Sequence, residues 1–175
     1  PSQRLTGSRE QRRGFRLNTS IRKATAQDIP RLVELHCRAF NASTNHLLLL
    51  GRAFMKRYFA WYCSSNESFI LMAEGESGIA GYVAVNQGSY YRALRANWIH
   101  VLLGFAAHPG MVFHSMFQRR LRELMHAGAK PTESPDHRAC MAYLALDPAM
   151  NVRGVGPTLM RAAFSESKKR GWHEL

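Results

Sequence analysis

The chain has 175 residues, of which 46% are hydrophobic, nine of them Phe; this is the composition of one globular domain with a core of its own. Lys and Arg number 24 against 12 Asp and Glu, a formal charge of +12 that points to an anionic partner. Three cysteines without a C-x-x-C pair imply neither a disulfide framework nor a zinc site, and no apolar run reaches the ~18 residues of a membrane span.

Residues 1–19 read as a basic, polar arm. Within residues 1–23, Arg4, Arg9, Arg12, Arg13, Arg16, Arg22 and Lys23 face only Glu10. Aromatic interleaving is limited to Phe15, so a nucleic-acid stacking platform is not expected, and there is no apolar core of a signal peptide. Cys37, Cys63 and Cys140 read as buried thiols of a cytoplasmic protein.

Ser20 to Thr25 is a candidate first strand. Ile29, Leu32, Val33, His36, Ala39 and Phe40 then recur at helical spacing, with Thr25 or Asp28 as cap and Pro30 inside the first turn. On that helix His36 and Cys37 point about 100° apart, which argues against a Cys–His catalytic pair. After a loop at 41–45, His46 to Tyr62 reads as a second helix covered on more than one side. Phe69 to Ala73 and Ile79 to Val85 form a predicted antiparallel hairpin, and Gly81 inside its second arm suggests a bulge or a close backbone contact. Residues 88–138 follow. Their apolar positions suggest two helices broken at Pro109-Gly110, covering a cleft or a dimer interface.

Met141 to Leu146 is an uncharged run of six bounded by Asp147-Pro148, the pattern of a strand buried on both faces. Gly154 and Gly156 come next, and Val155, Leu159, Ala162 and Ala163 share one face of the helix that follows; Pro157 suits its first turn. A strand that delivers its end to glycines at a helix N-terminus can hold phosphate. The backbone comes close to the anion, unpaired N–H groups point at it, and the positive end of the helix dipole lies behind them. The same glycines would equally serve a tight turn. A dinucleotide fingerprint fails because Leu159 occupies its third glycine position, and no Gly-Lys-Ser/Thr follows as a P-loop requires.

The stretch Asn151-Val152-Arg153-Gly154-Val155-Gly156, placed after a strand ending in Asp-Pro, resembles the Gln/Arg-x-x-Gly-x-Gly/Ala pyrophosphate signature of the GCN5-related N-acetyltransferases (GNAT). Asn151 departs from the usual first residue, and Pro157 removes one N–H from the cradle. The order of elements over residues 20–175 extends the resemblance. It implies a mixed α/β (α+β) fold with a mainly antiparallel sheet flanked by helices. Residues 88–138 would be a helical insertion between the third and fourth strands, and the fifth strand would begin only near Gly171 to Leu175. It further implies an acetyl-CoA-dependent N-acetyltransferase, with a non-catalytic coenzyme A-binding or nucleic-acid-associated module as the alternative. The implied cofactor site is Asn151, Val152, Arg153, Gly154, Val155 and Gly156 around the pyrophosphate, the Thr158 hydroxyl beside it, and the main chain of Leu144, Ala145 and Leu146 along the pantetheine arm. The implied acceptor is a small-molecule primary amine, with long insertions at this place suggesting an amino sugar or a nucleotide-linked one.

The family's usual carboxylate base has no counterpart on the fourth strand. Tyr143 is the titratable side chain there besides Cys140; with an ordinary pKa of about 10 it is a poor base at neutral pH, and it reads equally as a core or cleft aromatic. His100, His108, His114 and His126 lack the spacing of metal ligands, so no metal is expected.

Overall fold

The structure is a computed structural model and describes residues 19–41, 45–75, 78–88, 94, 96–107, 138–150 and 153–172. Residues 1–18 of the arm, the second predicted insertion helix, Asn151, Val152 and the last three residues lie outside that set. Four strands, β1 (Ser20–Lys23), β2 (Ser68–Gly75), β3 (Gly78–Gln87) and β4 (Ala139–Leu146), form an antiparallel sheet in the order β1-β2-β3-β4. Helices α1 (Ile29–Ala39) and α2 (Gly51–Ser64) cover one face; α4 (Val155–Lys169) covers the other. The helix α3 (Trp98–Ala107) belongs to the insertion, which runs between the end of β3 at Gln87 and the start of β4 at Ala139.

Alternation along β2 explains the three layers. Ile70 and Met72 point toward α1 and α2, while Phe69, Leu71 and Ala73 point toward α4, and all five are buried. At its far end α4 is held by Trp172, which stacks on Phe69, and by the Arg170 guanidinium, which lies over both rings and donates to the Ser68 carbonyl at 3.1 Å.

The predicted helix from His46 to Tyr62 is two pieces. A 3-10 turn over His46–Leu50 ends at Gly51, whose φ of 84° breaks the path before α2 begins. Upstream, Thr25 caps a short 3-10 turn and Asp28 precedes α1 with Pro30 in the first turn. Asp28 accepts two hydrogen bonds from Arg22, at 2.7 and 2.8 Å, and Arg22 also reaches Glu74 at 2.8 Å. The Arg22 bonds hold the Asp28 carboxyl well below the usual carboxylate range and lower that of Glu74, so β1, β2 and the start of α1 are tied by one charged knot.

Both irregularities of the sheet lie along β3. Opposite β2 the register slips so that Ala80 is the extra residue, and opposite β4 it slips at Ala142. Gly81 meets both sequence expectations: it adjoins the bulge, and a Cβ there would stand 2.7 Å from the Ala145 carbonyl oxygen. A backbone oxygen cannot swing away, so Gly81→Ala should lower stability by about 1–3 kcal/mol in denaturant unfolding.

β4 is not the doubly buried strand its composition predicts. Residues 140–144 are half-buried and Leu146 is 41% exposed. The cause is position: among the described residues β4 has β3 on one side and no strand on the other. The three cysteines are likewise half-buried rather than buried.

Candidate functional site

The β4–α4 junction is organised by the backbone. Asp147 N–H donates to the Ala80 carbonyl at 2.9 Å, continuing the ladder in which Ala145 pairs with Tyr82. Alternation then turns the N–H and C=O groups of Leu144 and Leu146 to the open edge. Those are two of the three residues expected to offer main chain to a pantetheine arm; Ala145, the third, spends its groups on β3.

The turn after β4 is held by Asp147, a buried carboxylate. It accepts from Ala149 N–H at 2.9 Å and from the Arg38 guanidinium, at the end of α1, at 2.8 Å. This tie between α1 and the loop is not visible in the sequence, where Asp147-Pro148 signals a turn but names no partner 109 residues upstream. A buried carboxylate in so short a loop is the signal that it needs a cation.

Gly154 precedes α4 with φ 87°, and among the described residues beyond its chain neighbours no atom lies within 4 Å of where a Cβ would stand. No side chain caps the helix, and Pro157 has no N–H. The first intrahelical donor is Thr158 N–H, to the Gly154 carbonyl at 3.2 Å, so the Val155 and Gly156 amides precede the helix's own ladder. Gly156 packs under Leu146, whose Cδ1 would touch an added Cβ at 3.6 Å. Arg153 is exposed beside the turn. The Thr158 hydroxyl donates back to the Gly154 carbonyl at 2.7 Å and its oxygen accepts from the Arg161 guanidinium at 3.4 Å, so its bonds lie within α4 and its start. Open space, a positive-φ glycine and unladdered amides at a 15-residue helix fit an anion such as a pyrophosphate.

The bulge at Ala142 sets the other end of β4. It places Ala142 and Tyr143 consecutively on the α1/α2 face while Met141 and Leu144 pack toward α4. The Tyr143 ring meets His36 edge-on at 4.9 Å and lies 5.8 Å from Phe40 and 6.2 Å from Tyr58. Tyr143 is half-buried; His36 beneath it is fully buried.

His36 has both ring nitrogens engaged, Nδ1 with the Tyr82 hydroxyl and Nε2 with Asn45 Nδ2 at 2.6 Å. Asn45 Oδ1 accepts from Leu47 N–H at 3.1 Å, so its amide nitrogen is the group facing His36. Nε2 must then accept, and Nδ1–H donates to Tyr82. Burial lowers the His36 pKa to about 4 and raises that of Tyr82 well above its usual value, so both are neutral at pH 7. Sequence reasoning placed His36 on the α1 helix, turned away from Cys37, and did not anticipate its partners, because Asn45 and Tyr82 come from a loop and a strand.

The sequence matches no protein-family model and no curated protein. Among solved structures, a GNAT family acetyltransferase from Brucella melitensis in complex with acetyl-CoA superposes with a TM-score of 0.51 at 14% identity, over 88% of this chain and 71% of that one. The fold is the GNAT fold. The PaiA N-acetyltransferase of Thermoplasma acidophilum in complex with coenzyme A gives 0.52 at 13% identity, over 89% and 76%. A Corynebacterium glutamicum structure described as histone acetyltransferase HPA2 and related acetyltransferase gives 0.52 at 16%, over 85% and 71%. Among the described residues no group of three or more His, Cys, Asp and Glu could hold a metal, and no helix is long and apolar enough to cross a membrane.

Proposed function

We propose that the chain is an acetyl-CoA-dependent N-acetyltransferase acting on a small-molecule primary amine, with an amino sugar as the acceptor class. The observation that carries the reading is the β4–α4 junction: an open strand edge at Leu144 and Leu146 running into an uncapped helix start at Gly154. Acetyl-CoA, the cosubstrate, brings the thioester that the amine consumes. The Val155 and Gly156 amides hold its pyrophosphate, with Arg153 beside them, and Leu144 and Leu146 align the arm by main-chain hydrogen bonds. Residues 20–175 form the acetyltransferase domain and residues 1–19 an arm outside it.

One observation favours a second reading, a cofactor-binding module without turnover. β4 carries no carboxylate, and the Tyr143 ring packs against Phe40, Tyr58 and a His36 whose two ring nitrogens are both engaged. Calorimetric titration with acetyl-CoA, followed by an amine panel with thiol detection, separates the two. Binding with amine-dependent thiol release supports the enzyme; binding without release from any amine supports the module; absence of binding overturns both.

Arg153→Ala should weaken acetyl-CoA binding by roughly ten- to a hundred-fold, the ~1.5–3 kcal/mol of a charge-assisted contact. The ratio of mutant to wild-type dissociation constants should shrink as salt is raised, because ions screen an exposed charge more than the backbone contacts. A ratio near one at low salt would place Arg153 outside the site.

A further inference from the structure

α3 is held by one face and bare on the other. Leu94, just before it, and Val101 within it pack on the core beneath α1 and α2, and Gly104 lies so close to Leu50 that a Cβ would stand 2.8 Å from its Cδ2. Away from that contact Trp98, Ile99, Leu102 and Leu103 are 53–60% exposed. Their spacing puts four large apolar side chains on one stripe of a ten-residue helix, a contiguous patch rather than scattered surface residues.

Among the described residues α3 holds no charged residue, and α2, which it contacts, carries Arg52, Lys56 and Arg57 as exposed side chains with no acidic one. The sequence has no Asp or Glu from residue 35 to 66 or from 77 to 122, while both stretches carry arginines.

We propose that the bare face of α3 is a peripheral docking surface for an anionic phospholipid bilayer. Trp98, Ile99, Leu102 and Leu103 enter the boundary between headgroups and acyl chains, and the basic residues of α2 meet the lipid phosphates. Trp is a side chain suited to that depth, and a helix with one apolar stripe beside basic residues lies in the interface without spanning it. A second copy is a poorer occupant, because it would bring the Arg52, Lys56 and Arg57 side chains of two α2 helices together. A nucleic acid would satisfy the charges and leave four apolar side chains unmatched.

The test is sedimentation of the full chain with vesicles of phosphatidylcholine alone and of phosphatidylcholine with phosphatidylglycerol. Pelleting with the anionic vesicles, little with the neutral ones, and a blue shift of tryptophan emission on binding are expected. Leu102→Gln with Leu103→Gln should weaken binding at least about ten-fold. Arg52→Gln with Lys56→Gln and Arg57→Gln should weaken it by about ten-fold or more and flatten its salt dependence. The replaced side chains are exposed, so thermal midpoints should match the wild type. Should the leucine pair lower the midpoint, Trp98→Ser decides by whether the blue shift disappears. Absence of pelleting with anionic vesicles overturns the proposal, as does pelleting undiminished by the leucine and tryptophan variants. A lipid-independent dimer in sedimentation velocity, abolished by the leucine pair, would assign the face to a second copy and also overturn it.

Discussion

Gly154→Glu should abolish coenzyme A binding, raising the dissociation constant more than about a hundred-fold, while the domain stays folded. Gly154 sits at φ 87° with, among the described residues beyond its chain neighbours, nothing within 4 Å of the Cβ position, so a side chain there meets open space. The positive φ costs any L-residue ~1–2 kcal/mol, which a domain of this size tolerates. A carboxylate placed at the helix start fills the space a phosphate needs and repels it. Gly154→Ala carries the same backbone strain without the charge, so it should lower the thermal midpoint as much and weaken binding far less. Equal dissociation constants for the Ala and Glu variants would mean that the turn matters by its shape alone.

The second large effect is a loss of stability in mild acid. His36 has an ordinary pKa of 6.5 in the unfolded chain and about 4 in the folded one, because burial opposes its charge. Between those values the unfolded state binds the proton and the folded state does not, so stability falls as pH falls from about 6.5 to 4. The integrated loss is about 3 kcal/mol by pH 4. Asp28 and Glu74 contribute in a lower window: their folded pKa values lie below 3.8 and 4.5, so their stabilisation is present above those values and is lost only below them. Urea unfolding of the wild type across pH 7 to 4, compared with His36→Gln, checks this. The variant should be less stable at pH 7 and should lack most of the decline above pH 4.5. A parallel decline in both proteins would show that another group carries it.

Where the sequence was informative, local chemistry dictated the structure. The spacing of Leu32, Val33 and His36 gave α1, and the Asp147-Pro148 stop followed by Gly154 and Pro157 marked the β4–α4 junction, because caps, turns and periodicity act within a few residues. The apolar strand runs at Ile79 to Val85 and Met141 to Leu146 bracketed the insertion, which lies between Gln87 and Ala139. The misses are long-range. The apolar run of β4 looked doubly buried, yet its exposure depends on which strand lies beside it. Gly51 looked like an interior helix residue, and its positive φ follows from how Leu47 and Leu50 reach the core. Arg38 with Asp147, and His36 with Asn45 and Tyr82, are partnerships that only the assembled sheet and helices create.

The central claim is that the start of α4 holds the pyrophosphate of coenzyme A, and backbone amide NMR during an acetyl-CoA titration tests it most directly. The largest shifts should fall on Gly154, Val155 and Gly156, with smaller ones on Leu144 and Leu146, and the same amides should respond to coenzyme A lacking the acetyl group. Saturable shifts centred elsewhere, with the Gly154 to Gly156 amides unmoved, would contradict it.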